Sequence, residues 1–230
     1  MTAERHEGIG RDVRIGSPTL IVAVIVSTIL SVVVTVVLGT GPRAADTGEQ
    51  VVRWFQEHRD SVRWSVWAFT ADAPLLALVY ALLRRLLPAP HRDMFLIGGV
   101  TVIVTTSVQS WLLAGLALHA DRLEPATART VLDVAVFFGP VLTAAFITMI
   151  APVAVLAWRG SPSIPRWLGV LGTAAVVEQA AETVTIFGSS GFTEPGGPMN
   201  LQLGAGLVLL WTLAFAVWAG FQGRFHVAPT

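Results

Sequence analysis

Between Thr19 and Leu38 the chain runs for 20 residues without a single ionisable side chain. A helix needs about 20 mostly apolar residues to cross the hydrocarbon core of a bilayer, so this stretch constrains the fold more than any other feature. Five further apolar stretches follow, at about 64–83, 94–118, 130–158, 167–187 and 201–222. The first is rich in Val, Ile and Thr, yet it cannot be a spanning strand, because an open strand edge leaves its backbone unsatisfied in lipid. Arg5, Arg11 and Arg14 precede it as they would in a signal peptide. Its apolar run exceeds the roughly 7–15 residues of a signal core, so it reads as a retained span. Only 13% of the residues are charged and the mean hydropathy is +0.67; soluble domains carry about 25% charged residues. The expected fold is all-α: one domain over 1–230, an integral membrane bundle of six transmembrane helices with an amphipathic helix on its outer surface.

Arginine placement predicts the orientation. With the N-terminus inside, nine arginines fall on cytoplasmic segments and six outside, four of those six within 43–63. The positive-inside rule then favours cytoplasmic N- and C-termini. Trp64 and Trp67 mark the outer interface, and Trp158, Trp167 and Trp218 the inner one, where amphipathic rings prefer to sit. All fifteen basic residues are Arg, and with the Ala- and Val-rich composition this points to a high-GC bacterial genome and a bacterial plasma membrane. The lipid bilayer is therefore the first expected partner, and assembly into a homo- or hetero-oligomer is left open.

The same composition removes several kinds of chemistry. There is no Cys, which excludes disulfides, thiol nucleophiles, Cys-ligated zinc and iron–sulfur clusters. There is no Lys, which excludes a Schiff-base site and a P-loop lysine. Zero formal net charge makes nucleic acid an unsuitable partner. No His lies within a span, so bis-His haem and Glu-x-x-His di-iron sites are absent, and no cofactor or metal is expected.

Two short Pro-containing segments, 84–93 and 159–166, read as cytoplasmic turns that force their neighbouring spans antiparallel. The longest outer segment, 40–63, carries Thr47-Gly-Glu-Gln50, the spacing of a capping box. Val51, Trp54, Phe55, His58 and Val62 follow at helical spacing, predicting a helix over 47–62 lying on the outer face, with a solvated connector helix as the alternative. Pro74 and Pro140 free the carbonyls of Thr70 and Val136, which a span tolerates where they line a cavity or pack in protein; Pro152 reads as a simple bend.

The candidate chemistry lies in four carboxylates within predicted spans: Asp72, Asp133, Glu178 and Glu182. Charged groups at such depths cost a few kcal/mol or more and usually face the bundle interior. At about 1.5 Å rise per residue Asp72 lies ~12 Å and Glu182 ~8 Å below the outer surface. Glu178 lies near the midplane, Asp133 near the surface, and Gln109 in the outer half. Glu178 and Glu182 are four apart and share a helix face, among Gly169, Gly172, Ala174, Ala175, Ala180 and Ala181, which let neighbouring helices approach. Asp72, Glu178 and Glu182 are expected to meet in one outer-half site, with Gln109 as a hydrogen-bond partner, Asp133 at the mouth, and Arg63 or Arg129 reaching toward the acids. Three readings are open: protonated acids gluing helices together, an outward-facing site for a small solute or protons, and a metal or catalytic site. No catalytic residue is assigned, because Gly188-Ser-Ser-Gly191 lacks a buried His partner and so is not a nucleophile elbow. Gly204-Ala-Gly206 and Gly98-Gly99 read as helix-packing patches.

The layout resembles a bacterial, actinobacterial-type family of six-span integral membrane proteins catalogued only as a domain of unknown function. The likeness covers roughly 18–222. It rests on the long segment after the first span, Thr70-Ala-Asp72-Ala-Pro74, Phe137-Phe138-Gly139-Pro140, and the turn from Trp158 through Arg159-Gly-Ser-Pro-Ser-Ile-Pro-Arg166 to Leu171. The resemblance implies a fold but no activity or site residues. The expected function is a multi-pass membrane protein with an outward-facing polar cavity that binds or moves a small solute or protons. A structural or regulatory partner subunit is the alternative, and a lipid-acting intramembrane enzyme a third.

Overall fold

The computed structural model describes residues 17–38, 41–162 and 164–221. Arg5, Arg11, Arg14 and Arg224, on which the orientation partly rests, lie outside the described residues, as does Gln222. Within them the regular elements are all helical: α1 (Ser17–Leu38), α2 (Gly48–Glu57), α3 (Arg59–Leu83), α4 (His91–Leu118), α5 (Pro125–Val136), α6 (Phe138–Trp158), α7 (Arg166–Glu182) and α8 (Ala205–Phe221), joined by short 3-10 and π turns.

Among the described residues, five helical stretches are long and apolar enough to cross a bilayer: Arg59–Leu86, His91–Leu118, Pro125–Trp158, Arg166–Phe187 and Met199–Phe221. α1 is also strongly apolar over Pro18–Val34, and it packs on α3 and α8. Val22, Ile29, Ile97, Val141 and Val177 are among the many large apolar side chains left more than half exposed. A water-soluble surface would not carry so much uncovered hydrocarbon, and these helices are those of a membrane protein.

The helices alternate in direction, so the turns at 84–90 and 159–162 share one end of the bundle, and α2, residues 119–124 and 188–198 share the other, here called the α2 end. Most of the length is held by one core in which Tyr80, Phe95, Phe215 and Trp211 form a chain of ring contacts with centroids 5.5–6.0 Å apart. Close helix approach depends on glycine, as the small-residue patches predict. A side chain at Gly98 would stand 2.5 Å from the Met149 backbone, and one at Gly169 would stand 2.6 Å from Ala157 Cβ.

The capping box is formed: Gln50 N donates to Thr47 Oγ1 at 3.4 Å, and Thr47 N donates to Gln50 Oε1 at 2.6 Å. The helix it starts is shorter than 47–62, however. The chain breaks at His58, whose ring stacks on Trp54 with centroids 4.5 Å apart, and a new helix, α3, begins at Arg59. The second span thus starts five residues earlier than the apolar pattern shows, because Arg59 is anchored: it donates to Asp121 Oδ2 and to the Leu118 carbonyl, both at 2.9 Å. α2 buries its apolar face in protein. Val51 and Phe55 are fully buried in a second, smaller core with Leu116, Ala117, Ala120, Ala128 and Leu132. The lone Phe55 side chain supplies much of that core; burying one such ring is worth ~1.5–3 kcal/mol.

The fourth apolar stretch starts at Pro125, a residue suited to the first helical position because its missing N–H is not needed there. It is broken at Phe137, three residues before Pro140, whose ring denies the Val136 carbonyl its partner. Pro74 and Pro152 sit inside unbroken helices.

Candidate functional site

Three departures from α-helix meet at one buried place. α7 tightens into a 3-10 turn at Thr183–Phe187, where Thr183, Val184, Thr185 and Ile186 are all β-branched and disfavour continued α-helix. The last apolar stretch opens with a π turn, Met199–Gly204, following Gly196-Gly197-Pro198. The break between α5 and α6 brings Gly139 alongside Asn200, where a side chain at 139 would lie 3.3 Å from the amide. π turns inside spans frequently mark functional positions.

The residues at this junction form one hydrogen-bonded chain. Gln179 Nε2 donates to Glu178 Oε2 and to Glu182 Oε2, each at 2.8 Å. Asn200 Nδ2 donates to Glu182 Oε1 and lies 3.4 Å from Thr185 Oγ1, while Gly196 N donates to Asn200 Oδ1 at 2.9 Å. Gln179, Glu182, Thr185 and Asn200 are all buried, and Glu178 is half-buried. Glu178 Oε1 and Gln179 Oε1 are enclosed with no hydrogen-bond partner among the described residues. Gly204 is part of this site and not simply a packing residue. A Cβ there would run into the Glu182 carboxylate and lie 2.9 Å from Gln179 Nε2.

Asp72 has other company. It is buried at 2% exposure, its Oδ2 accepts from Ser31 Oγ of α1 at 3.3 Å, and Ser27 of the same helix stands beside it. Among the described residues no hydrogen bond joins Asp72 to Glu178 or Glu182. Asp133 is ion-paired with Arg129 one turn earlier, and the same guanidinium donates to the carbonyls of Arg43 at 2.9 Å and Asp46 at 3.2 Å. Arg129 is therefore occupied in tying 43–46 to α5, and Arg63 lies 3.8 Å from Asp60. Gln109 donates to the Ala135 carbonyl at 3.1 Å, joining α4 to α5 just above the break.

A cavity of about 530 Å³ opens at the α2 end, within the range of small-molecule sites. Of the candidate site residues read from sequence (Asp72, Gln109, Asp133, Glu178 and Glu182) only Gln109 lines it. Its walls are mainly apolar, from Trp54, Phe55, Leu113, Leu132, Val136, Phe192 and Leu201, with Arg43, Glu194 and Gln202 as the other polar lining. The cavity is less polar than the intramembrane acids suggest because Asp72, Glu178 and Glu182 are turned into helix contacts. Its wall nevertheless meets the Glu178–Glu182 network, since Gly196, which donates to Asn200, also lines the cavity. Gly196 has φ +72°, a left-handed conformation that glycine adopts without strain, and a Cβ there would lie 3.3 Å from Val136.

The spacing of 179 and 182 on one helix face could have flagged Gln179. Asn200 and Thr185 carry no local signal, because their partners are set by how the turns at 183–187 and 199–204 meet. Among the described residues no three His, Cys, Asp or Glu side chains gather as a metal site requires. Comparison with protein-family models, curated proteins and solved structures returns no match. The site is therefore argued from its own geometry.

Proposed function

We propose that this chain is a six-span protein of a bacterial plasma membrane, of the family its 158–171 turn resembles. In this reading α1 is the sixth span, both termini are cytoplasmic and the α2 end faces outward. Its cavity binds a small solute, and the Glu178–Gln179–Glu182 group holds a proton whose presence is linked to that solute. The observation that carries this reading is the Asn200 side chain, which takes a hydrogen bond from the cavity wall at Gly196 and gives one to Glu182. A ligand that displaces the 191–198 loop must move Asn200, and the two carboxylates that share one amide donor respond by gaining or losing a proton. Transport of the solute follows if the linked group is exposed in turn to the other side.

Asp72 supports a different role within the same protein. Its bond to Ser31 joins α1 to α3, and interhelical hydrogen bonds of this kind hold spans together.

The chain has no cysteine, so single-cysteine variants give a clean test. In intact cells, Gln202→Cys in the cavity should react with a membrane-impermeant maleimide and Pro162→Cys should react only after permeabilisation. The opposite pattern overturns the orientation. No reaction at Gln202→Cys in either condition overturns the open cavity. In reconstituted vesicles, Glu182→Gln should leave the protein folded while abolishing any pH dependence of solute binding; an unchanged pH dependence removes Glu182 from the proposal.

A further inference from the structure

Arg43 and Glu194 are the two charged residues that line the cavity, and they differ in kind. Arg43 is exposed at the rim, where water and salt screen its charge. Glu194 is 7% exposed and lines the cavity, and it belongs to none of the ion pairs among the described residues. The 191–198 loop fixes Glu194 there: its backbone N–H donates to the Gly191 carbonyl at 3.3 Å, and its own carbonyl accepts from Gly197 N at 2.9 Å. Gly197 is needed for this close turn, because a side chain at 197 would lie 2.6 Å from Glu194 Cγ. The loop thus holds one acid without a protein counter-charge in an otherwise largely hydrocarbon and aromatic chamber.

From this arrangement we infer that the cavity selects a small lipophilic monocation, such as an arylalkyl ammonium. This rests on the proposal that the cavity binds a solute, and it names the class. The apolar body fills the space between Leu132 and Phe192. The positive head reaches Glu194, where the low-dielectric wall strengthens the pairing beyond its value in water. The aromatic lining of Trp54 and Phe192 suits a cationic head more than an anionic one, and the one group that would favour an anion, Arg43, is exposed. A neutral molecule of equal shape gains the apolar contacts and leaves the carboxylate unpaired.

Three fluorescent probes of matched size separate these possibilities: 1-naphthylmethylammonium, 1-naphthylmethanol and 1-naphthoate. Binding is measured on the full chain in lipid nanodiscs, with empty nanodiscs subtracted. The ammonium probe should bind at least tenfold more tightly than the alcohol, and naphthoate more weakly than either. Glu194→Gln should bring the ammonium and the alcohol within about threefold of each other without changing the alcohol, and Glu194→Asp should keep the preference. If alcohol and ammonium bind the wild-type protein equally, or naphthoate binds best, the inference is overturned while the binding cavity stands. If no probe binds above empty nanodiscs, the cavity reading itself fails and this inference fails with it. Should Glu194→Gln not fold, the ranking of the three probes on the wild-type protein still decides.

Discussion

The bundle buries two carboxylic acids from sequence-distant spans, Asp72 on α3 and Glu182 on α7, in contrasting surroundings. Around Asp72 both helices are unbroken, and Pro74 two residues on frees only a carbonyl, that of Thr70, which offers the acid no donor. The acid there finds only hydroxyls, Ser31 and its neighbour Ser27, and its reach ends at the α1–α3 contact. Around Glu182 three segments leave the α-helical path, which brings an amide side chain, a glycine and a loop amide within reach of one another. The first acid joins two rigid rods. The second is connected, through Asn200, to a loop that forms part of a cavity wall. Comparable burial therefore goes with different capacity: irregular backbone lets a buried charge sense something outside its own helix pair.

The largest test of this contrast is Gly204→Val. A branched side chain at 204 must displace Glu182 and Gln179, and overpacking at a rigid site should cost ~3 kcal/mol in unfolding free energy. Ser31→Val at the other acid should cost less, about 1–2 kcal/mol, because it takes a hydroxyl partner from Asp72 without forcing bulk into a packed site. Comparable losses at the two positions would erase the distinction. Next in size, Asn200→Leu leaves both Glu182 Oε1 and Gly196 N without their partner. Gly196 is only half-buried and its N–H can turn to the cavity, so at roughly 1–3 kcal/mol for the one fully buried group left unpaired a loss of ~2 kcal/mol is expected, with altered maleimide reactivity at Gln202→Cys. Unaltered reactivity would disconnect the network from the cavity.

Smaller effects sharpen the comparison. Asp72→Asn keeps shape and hydrogen bonding, so stability should change by less than about 1 kcal/mol and ligand binding should not change at any pH. Glu182→Gln replaces one of two acceptors by a donor facing an amide donor, so it should cost ~1–2 kcal/mol while leaving the protein folded and removing the pH dependence of binding. The smallest expected effect lies at the exposed start of α2. Hydrogen bonds from its own backbone amide and from Thr47 hold the Glu49 carboxyl below its ordinary value of 4.5. The stability this gives to α2 is complete above that value and fades as pH falls through the lower folded value. Amide exchange along α2 should therefore quicken only in acid and stay unchanged in Glu49→Gln. This marks off an acid response at the α2 end that owes nothing to Glu182.

The helical membrane architecture was legible in the sequence because lipid imposes one long period of apolar residues and little else. Pro140 marked only a freed carbonyl and not a break, as Pro74 does inside an unbroken helix. The capping box at Thr47 was legible because it depends on a few adjacent residues. The break at His58 was not, since it depends on Arg59 reaching Asp121 and the Leu118 carbonyl on another helix end. The acids were visible as polar groups in apolar runs. Their grouping was not, because depth along a span says nothing about which way each helix is turned. Glu182 and Asn200 meet only because the turns at 183–187 and 199–204 rotate both into the same place. Nothing in the sequence marks Glu194 as buried, and its burial is a property of the folded 191–198 loop alone.

The seating of α2 also bears on how the protein is made. Phe55 and Val51 emerge from the ribosome well before Leu116, Ala120, Ala128 and Leu132, the residues that cover them. During synthesis the newly made α2 has nothing to pack on and must wait at the membrane surface with an aromatic ring uncovered, while two more spans are inserted. Chains truncated after Leu118 should therefore leave α2 open to protease, and chains extended past Val136 should protect it. The second core is the last part of its own neighbourhood to close, and a nascent chain stalled before that point offers chaperones and proteases a marked handle.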